Sequence, residues 1–254
     1  MQRVFITGAS SGLGAALALF YAQRGAHLGL VGRRQQALQN VLQSLPGEHQ
    51  IFVADVRDRQ ALHDAAMSFQ HDAPVDIVIA CAGISAGTLT EESDDFQVFQ
   101  AIMETNVNAT VATFEPFIKP MKQRGQGTLV GIGSVAGVRG LPGAGAYSAS
   151  KAAVRAYCES LRVELRSTGV KVVTIAPGFI QTPMTAHNPY RMPFLMPAPA
   201  FAKRAASAID RGSSYCVIPW QMGWVARLLA IAPNGVYDYF AAGRKRKPRQ
   251  PDLR

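Results

Sequence analysis

Apolar residues along this chain fall in short, nearly unbroken runs, separated by longer segments whose apolar positions recur at helical spacing. Runs at residues 3–7, 28–31, 51–54, 76–80, 128–132 and 170–176 predict strands, with a further one at 215–218. The early runs are almost continuous Val, Ile and Leu rather than alternating, as in strands covered on both faces. Segments 12–24, 35–45, 59–69, 94–122 and 146–167 predict helices. Alternation on this scale calls for a parallel sheet with right-handed crossovers and helices on both faces. The pattern therefore predicts one α/β, doubly wound Rossmann-type domain spanning residues 1–254.

The rhythm breaks between residues 183 and 199, where five prolines (Pro183, Pro189, Pro193, Pro197, Pro199) accompany Met184, Met192, Met196, Tyr190 and Phe194. Proline at this density prevents a continuous helix, so the segment reads as irregular and apolar. It follows the sixth strand, at the edge where such sheets bind ligands, and is expected to form a lid over substrate. His187, within it, reads as solvent-exposed.

Composition narrows the possibilities. Hydrophobic residues make up 48% and charged residues 17%, enough to build a large core. The net charge of +9 is uneven: residues 243–254 hold six Lys/Arg and one Asp, or +5, which leaves +4 elsewhere. A basic tail without a nucleic-acid-binding motif is a weak footprint for nucleic acid, and no such partner is expected. The three cysteines lack metal or CxxC spacing, and the five histidines have no ligand partner at metal-site spacing. Buried free thiols and no metal are expected. The amino terminus enters a strand pattern at once, leaving no room for a signal peptide, and no apolar run reaches membrane-spanning length. A cytoplasmic protein is expected.

After the first strand comes Thr7-Gly8-Ala9-Ser10-Ser11-Gly12-Leu13-Gly14, leading into an Ala/Leu-rich helix. Strand, glycine turn and helix in this order suit a dinucleotide: glycine lets the backbone approach a pyrophosphate, and the helix start offers unpaired N–H groups. The second strand ends Val31-Gly32-Arg33-Arg34. An acid about here would select the unphosphorylated cofactor; Arg33 and Arg34 instead suit a 2′-phosphate, hence NADP(H).

Farther on, Gly133-Ser134 ends a strand, and Tyr147-Ser148-Ala149-Ser150-Lys151 opens a helix. Residues four apart share a helix face, so the tips of Tyr147 and Lys151 can serve one object. A free tyrosine titrates near ~10, and a neighbouring ammonium is expected to lower that value. Ser134 can hydrogen-bond an oxygen on which charge develops. Cys81 reads as a small buried residue rather than a reactive thiol. Glu91, Glu92, Asp94 and Asp95 read as favourable charges at a helix start.

Together these motifs resemble the short-chain dehydrogenase/reductase family, in its branch of about 250 residues. The likeness rests on residues 7–14, Asp55-Val56, Ala82-Gly83, Asn106, Ser134, 147–151 and Pro177-Gly178-Phe179-Ile180-Gln181-Thr182. It implies that Asp55 and Val56 hold the adenine and that Ala82-Gly83 line the nucleoside. Asn106 would position a water for a relay through Lys151, which also grips the nicotinamide ribose. Pro177 and Gly178 would belong to the cofactor site, with Ile180 and Thr182 against the nicotinamide carboxamide. A homodimer or homotetramer is implied as well. Where members often have Asn-Asn-Ala-Gly, this chain has Ala80-Cys81-Ala82-Gly83.

The expected activity is NADPH-dependent hydride transfer to a hydrophobic carbonyl compound, reversible to the alcohol. A cofactor-binding regulator without catalysis is the competing class, disfavoured by the full set Asn106, Ser134, Tyr147 and Lys151. Both tryptophans, Trp220 and Trp224, lie in an apolar helix near the basic cluster. Two readings stay open there: packing over the pocket or a subunit interface with a solvated tail, or peripheral contact with an anionic membrane.

Overall fold

The computed structural model describes residues 1–186, 188–243 and 245–250; His187 and Arg244 lie outside these. Seven strands form one sheet: β1 (Arg3–Thr7), β2 (His27–Gly32), β3 (Gln50–Val53), β4 (Ile77–Ala80), β5 (Gly127–Ile132), β6 (Val170–Pro177) and β9 (Tyr215–Ile218). Their order is β3-β2-β1-β4-β5-β6-β9, and every neighbouring pair is parallel. The fold is a Rossmann-like α/β sheet flanked by helices.

The unbroken apolar runs have a direct cause. Val4 and Ile6 of β1 face one core, with α1 (Gly12–Gln23), α2 (Gln35–Ser44) and α7 (Ala198–Asp210). Phe5, between them, faces the other core, under α3 (Arg59–His71), α5 (Ala109–Arg124) and α6 (Gly145–Glu164). With both sides of the strand buried, its middle positions Val4, Phe5 and Ile6 are all apolar, and the polar Arg3 and Thr7 fall at its ends. Burying such apolar area contributes roughly 25 cal/mol per Å², the main drive for this assembly.

Three segments depart from the pattern. The helix expected over 94–122 divides into α4 (Asp95–Met103), a π-helical turn (Glu104–Asn108) and α5. The proline-rich segment is shorter than expected: β7 (Ile180–Gln181) pairs with β8 (Met196–Pro197), and α7 starts at Ala198. Pro199 sits in the first turn of α7, where a missing N–H removes no helical bond, so proline there marks a helix start.

The third departure is the carboxyl-terminal region. Helix α8 (Trp220–Ile231) buries Met222 and Ala226 against Val135, Phe179 and Val217. Its other stripe, Trp220, Trp224, Leu228 and Ile231, is 59–77% exposed. Arg139 anchors the junction with α9 (Asn234–Ala241): its guanidinium donates to Leu229 O, Ala232 O and Asn234 Oδ1, and lies over the Tyr237 ring. In the described part of the tail, residues 245–250, Lys247 and Arg249 bond to the body of the molecule.

Candidate active site

The carboxyl ends of the central strands open into one cleft of about 330 Å³, within the range of small-molecule sites. Its floor near β1 depends on two close approaches. Gly8 has φ +68°, and a Cβ there would lie 2.7 Å from the Ala82 backbone. A Cβ on Gly14 would lie 2.3 Å from Gly8 O. Thr7 Oγ1 accepts from the backbone N–H groups of Cys81 (3.2 Å) and Ala82 (3.4 Å), tying the ends of β1 and β4 together.

Ser10, Ser11, Gly12 and Leu13 complete this wall. Ser11 begins α1 without a side-chain cap, and no acid stands in the first turn. The helix start therefore keeps unpaired N–H groups and a partial positive charge, which suits an anionic phosphate. At the end of β2, Gly32, Arg33 and Arg34 line the cleft with no acid among them. Arg34 donates to Ser11 Oγ at 3.3 Å, beside the turn, and Arg33 stands 3.7 Å from Asp55. These residues fit a phosphorylated dinucleotide.

Asp55 is placed differently from Val56. Val56 lines the cleft with Ala54, whereas the Asp55 carboxylate accepts from Arg57 Nε, Nη2 and N–H. Burial would raise this carboxyl, but the Arg57 hydrogen bonds and the Arg57 and Arg33 charges together hold it below its usual range.

At the other end, Ser134 leaves β5 in extended conformation, and its Oγ accepts from Ala136 N–H at 3.1 Å, capping a short 3₁₀ turn. That turn lies against α6 so closely that a Cβ on Gly137 would be 2.6 Å from the Lys151 carbonyl carbon. Tyr147 and Lys151 sit one turn apart on α6, both in the cleft wall. Lys151 Nζ donates to Ile132 O at 2.9 Å and lies 5.8 Å from the Tyr147 ring centre.

The acidities correct one expectation. Burial pushes the Tyr147 phenol up; its hydrogen bond with Ser134 lowers it, and the charge of Tyr190 raises it. Desolvation prevails, so the phenol lies above its ordinary value, and the Lys151 ammonium turns to Ile132 O. Burial brings Lys151 itself down to about 8. The arrangement is a neutral phenol, hydrogen-bonded to Ser134, on the same helix face as a buried lysine brought down to about 8.

Asn106 lies behind the cleft, fully buried in the π turn. Its Oδ1 accepts from Ile84 N–H (2.8 Å), and its Nδ2 donates to Ile84 O (3.0 Å) and Ser150 Oγ (2.9 Å). The side-chain amide is thus a brace between the loop after β4 and α6. Gly83 separates it from the lysine: a Cβ there would be 3.2 Å from Asn106 Oδ1 and 3.5 Å from Lys151 Nζ.

Ala82, Gly83, Pro177, Gly178, Ile180 and Thr182 line the cleft as the motifs implied, while Asp55 and Asn106 do not. Ile84, Thr105 and Thr185 line it without carrying any motif of their own. Cys81 also faces it, and burial pushes its thiol up to about 12, so it stays protonated in the neutral range. Met184 lines the cleft and is partly exposed, Tyr190 packs on Phe179 with ring centres 6.2 Å apart, and Phe194 sits at φ +57°, a strained value for a residue with a side chain.

Comparison with known proteins agrees with this geometry. The short chain dehydrogenase family profile matches residues 2–191. An oxidoreductase of Myxococcus xanthus is 38% identical over 248 residues, covering 96% of this chain and 97% of its own. The 11-beta-hydroxysteroid dehydrogenase-like 2 of Arabidopsis thaliana is 32% identical over 253 residues, covering 93% and 79%. Among solved structures, levodione reductase superposes with a TM-score of 0.77 at 26% identity, covering 87% of this chain and 98% of its own. The chain belongs to the short-chain dehydrogenase family of oxidoreductases, which act on CH–OH and C=O groups with a nicotinamide cofactor.

Proposed function

We propose that the protein reduces a hydrophobic ketone or aldehyde with NADPH, reversibly, and that Tyr147 is the proton donor. The observation that carries this reading is the convergence of Ser134, Tyr147 and Lys151 at one end of a cleft whose other end has an uncapped helix start and two arginines. When bound, the cofactor supplies the hydride that reaches the carbonyl carbon. The chain's own residues do the rest. Ser134 holds the carbonyl oxygen, Tyr147 gives it a proton, and the Lys151 charge stabilises the tyrosinate left behind. Asn106 fixes Ile84 and α6 around them.

In this reading Gly8, Ser10, Ser11, Gly12, Leu13 and Gly14 hold the pyrophosphate, and Arg33 and Arg34 hold the 2′-phosphate. Asp55 acts by orienting Arg33, while Val56, Ala82 and Gly83 enclose the adenosine. Lys151 also meets the nicotinamide ribose, and Pro177, Gly178, Ile180 and Thr182 pack beside the nicotinamide. Residues 182–195 act as the lid. Met184 and Tyr190 support a hydrophobic substrate, as do the names of two relatives, a levodione reductase and a hydroxysteroid dehydrogenase-like protein. The test is initial-rate oxidation of NADPH and NADH over cyclic, aromatic and small charged carbonyl compounds. Turnover of the hydrophobic members with NADPH preferred is expected; preference for NADH, or for the charged members, overturns the reading.

The outer faces of α8 and α9 we read as a contact surface. Trp220, Trp224, Leu228, Ile231, Tyr239 and Phe240 are exposed, and the Arg227 guanidinium lies 5.0 Å from the Trp224 ring. Further copies of the chain are one occupant, consistent with the family's habit of assembly. Anionic lipid is the other, favoured by tryptophan and arginine side by side. No helix among the described residues is long and apolar enough to cross a membrane.

A further inference from the structure

Beyond α9 the chain turns at Gly243 (φ +73°) and runs back along the loop that follows β4. Residues 246–249 meet that loop at several points. Gly87 N–H donates to Pro248 O at 2.9 Å, and Lys247 Nζ donates to Ser85 Oγ at 3.0 Å. Arg249 Nε donates to Asp95 Oδ2 at 2.8 Å, and its Nη2 lies 3.1 Å from Glu92. Asp95 is 2% exposed and also accepts from Leu89 N–H at 2.8 Å. The fit is close: a Cβ on Gly87 would lie 2.1 Å from Lys247 O, and one on Gly143 would lie 2.8 Å from Arg246 Cδ.

Both loops under this strap lead straight into the site. Ile84, at the start of one, lines the cleft and is held by Asn106 through two hydrogen bonds. Gly143, in the other, precedes the turn of α6 that carries Tyr147, and its carbonyl accepts from Thr88 N–H at 3.0 Å. A buried carboxylate is stable only when paired, and Arg249 supplies a charged partner to Asp95. Without the strap, the loop between Ile84 and Asp95 loses its outer support.

We propose that Arg249 is a positioning residue: through Asp95 and Glu92 it clamps residues 84–92 as the outer wall of the substrate pocket and so sets affinity for bulky substrates. The proposal rests on the reductase reading above, with a physical arm that does not. The acidic group at residues 91–95 is thereby more than a set of favourable charges at a helix start. It is the receptor for the carboxyl-terminal strap.

The test compares the full chain with Arg249→Gln, Arg249→Lys and Gly87→Ala, the last displacing the strap with Arg249 intact. Hydrogen–deuterium exchange, read without turnover, should be about tenfold faster for residues 85–90 in Arg249→Gln and Gly87→Ala, with β1 unchanged. In NADPH oxidation with 2-decalone, KM for the ketone should rise about tenfold while KM for NADPH and kcat stay within about twofold. Arg249→Lys should restore part of both effects, since an ammonium still reaches one carboxylate. Unchanged exchange in Arg249→Gln overturns the clamp, and equal rises in both KM values overturn its role in positioning substrate. A parent inert toward every ketone retires the reductase reading, and the clamp is then judged by exchange alone.

Discussion

Lys151 is buried beside the cleft with its ammonium on a backbone carbonyl, and it titrates near 8, not in the usual lysine range. Tyr147 moves the other way and stays protonated throughout the neutral range. The sign of the pH effect follows. As pH rises through about 8, Lys151 loses the charge that stabilises the developing tyrosinate, while the phenol proton is still present. Reductive kcat/KM should fall with a midpoint near 8; a profile flat to about 9.5 would point to tyrosine alone as the titrating group. Arg33 bears on cofactor choice. Arg33→Ala should weaken NADPH binding by about 1.5–3 kcal/mol, the worth of a charge-assisted hydrogen bond, and leave NADH nearly unaffected. Equal losses in fluorescence titrations with both cofactors would make Arg33 a structural partner of Asp55. At this scale the motifs made Ser134, Tyr147, Lys151 and the glycine turn legible. Asp55 and Asn106 stand beside the cleft rather than in its wall, because a motif names a neighbourhood and not the direction of a side chain.

Among the elements, the parallel strands were readable to within a few residues, since burial on both faces leaves a strong local signature. Helix α7 was not, because prolines that mark its first turn look the same in sequence as prolines that break a helix. The π turn at Glu104–Asn108 was hidden for another reason: nothing in a helical pattern reports one extra residue in a turn. The segment between β7 and β8 remains the element most open to test. Replacing residues 184–194 with a short glycine linker should raise KM for a hydrophobic ketone several-fold more than KM for NADPH, because the cleft-lining Met184 and the Tyr190 ring packed on Phe179 would be lost. Similar KM values for the ketone in parent and variant would remove the lid from the account.

For the whole molecule, the distribution of charge matters more than its total. The net charge of +9 suggested a loose basic tail, yet Lys247 and Arg249 are bonded to loop and helix residues more than 150 positions away in sequence. Such long-range pairing leaves no local pattern, so the strap could not be read from the chain alone. It also alters what a lipid assay should show. If α8 and α9 meet anionic lipid, co-sedimentation with phosphatidylserine vesicles should depend on Trp220, Trp224 and Arg227 and survive loss of the strap. Binding that is equal on neutral vesicles, or absent at low salt, would leave the face to another copy of the chain. The central claim, that Tyr147 delivers the proton, is tested most directly by comparing Tyr147→Phe with the parent in NADPH oxidation on a ketone the parent reduces. The account predicts kcat lower by roughly 10² to 10⁴ with NADPH affinity unchanged; turnover within about twofold of the parent would contradict it.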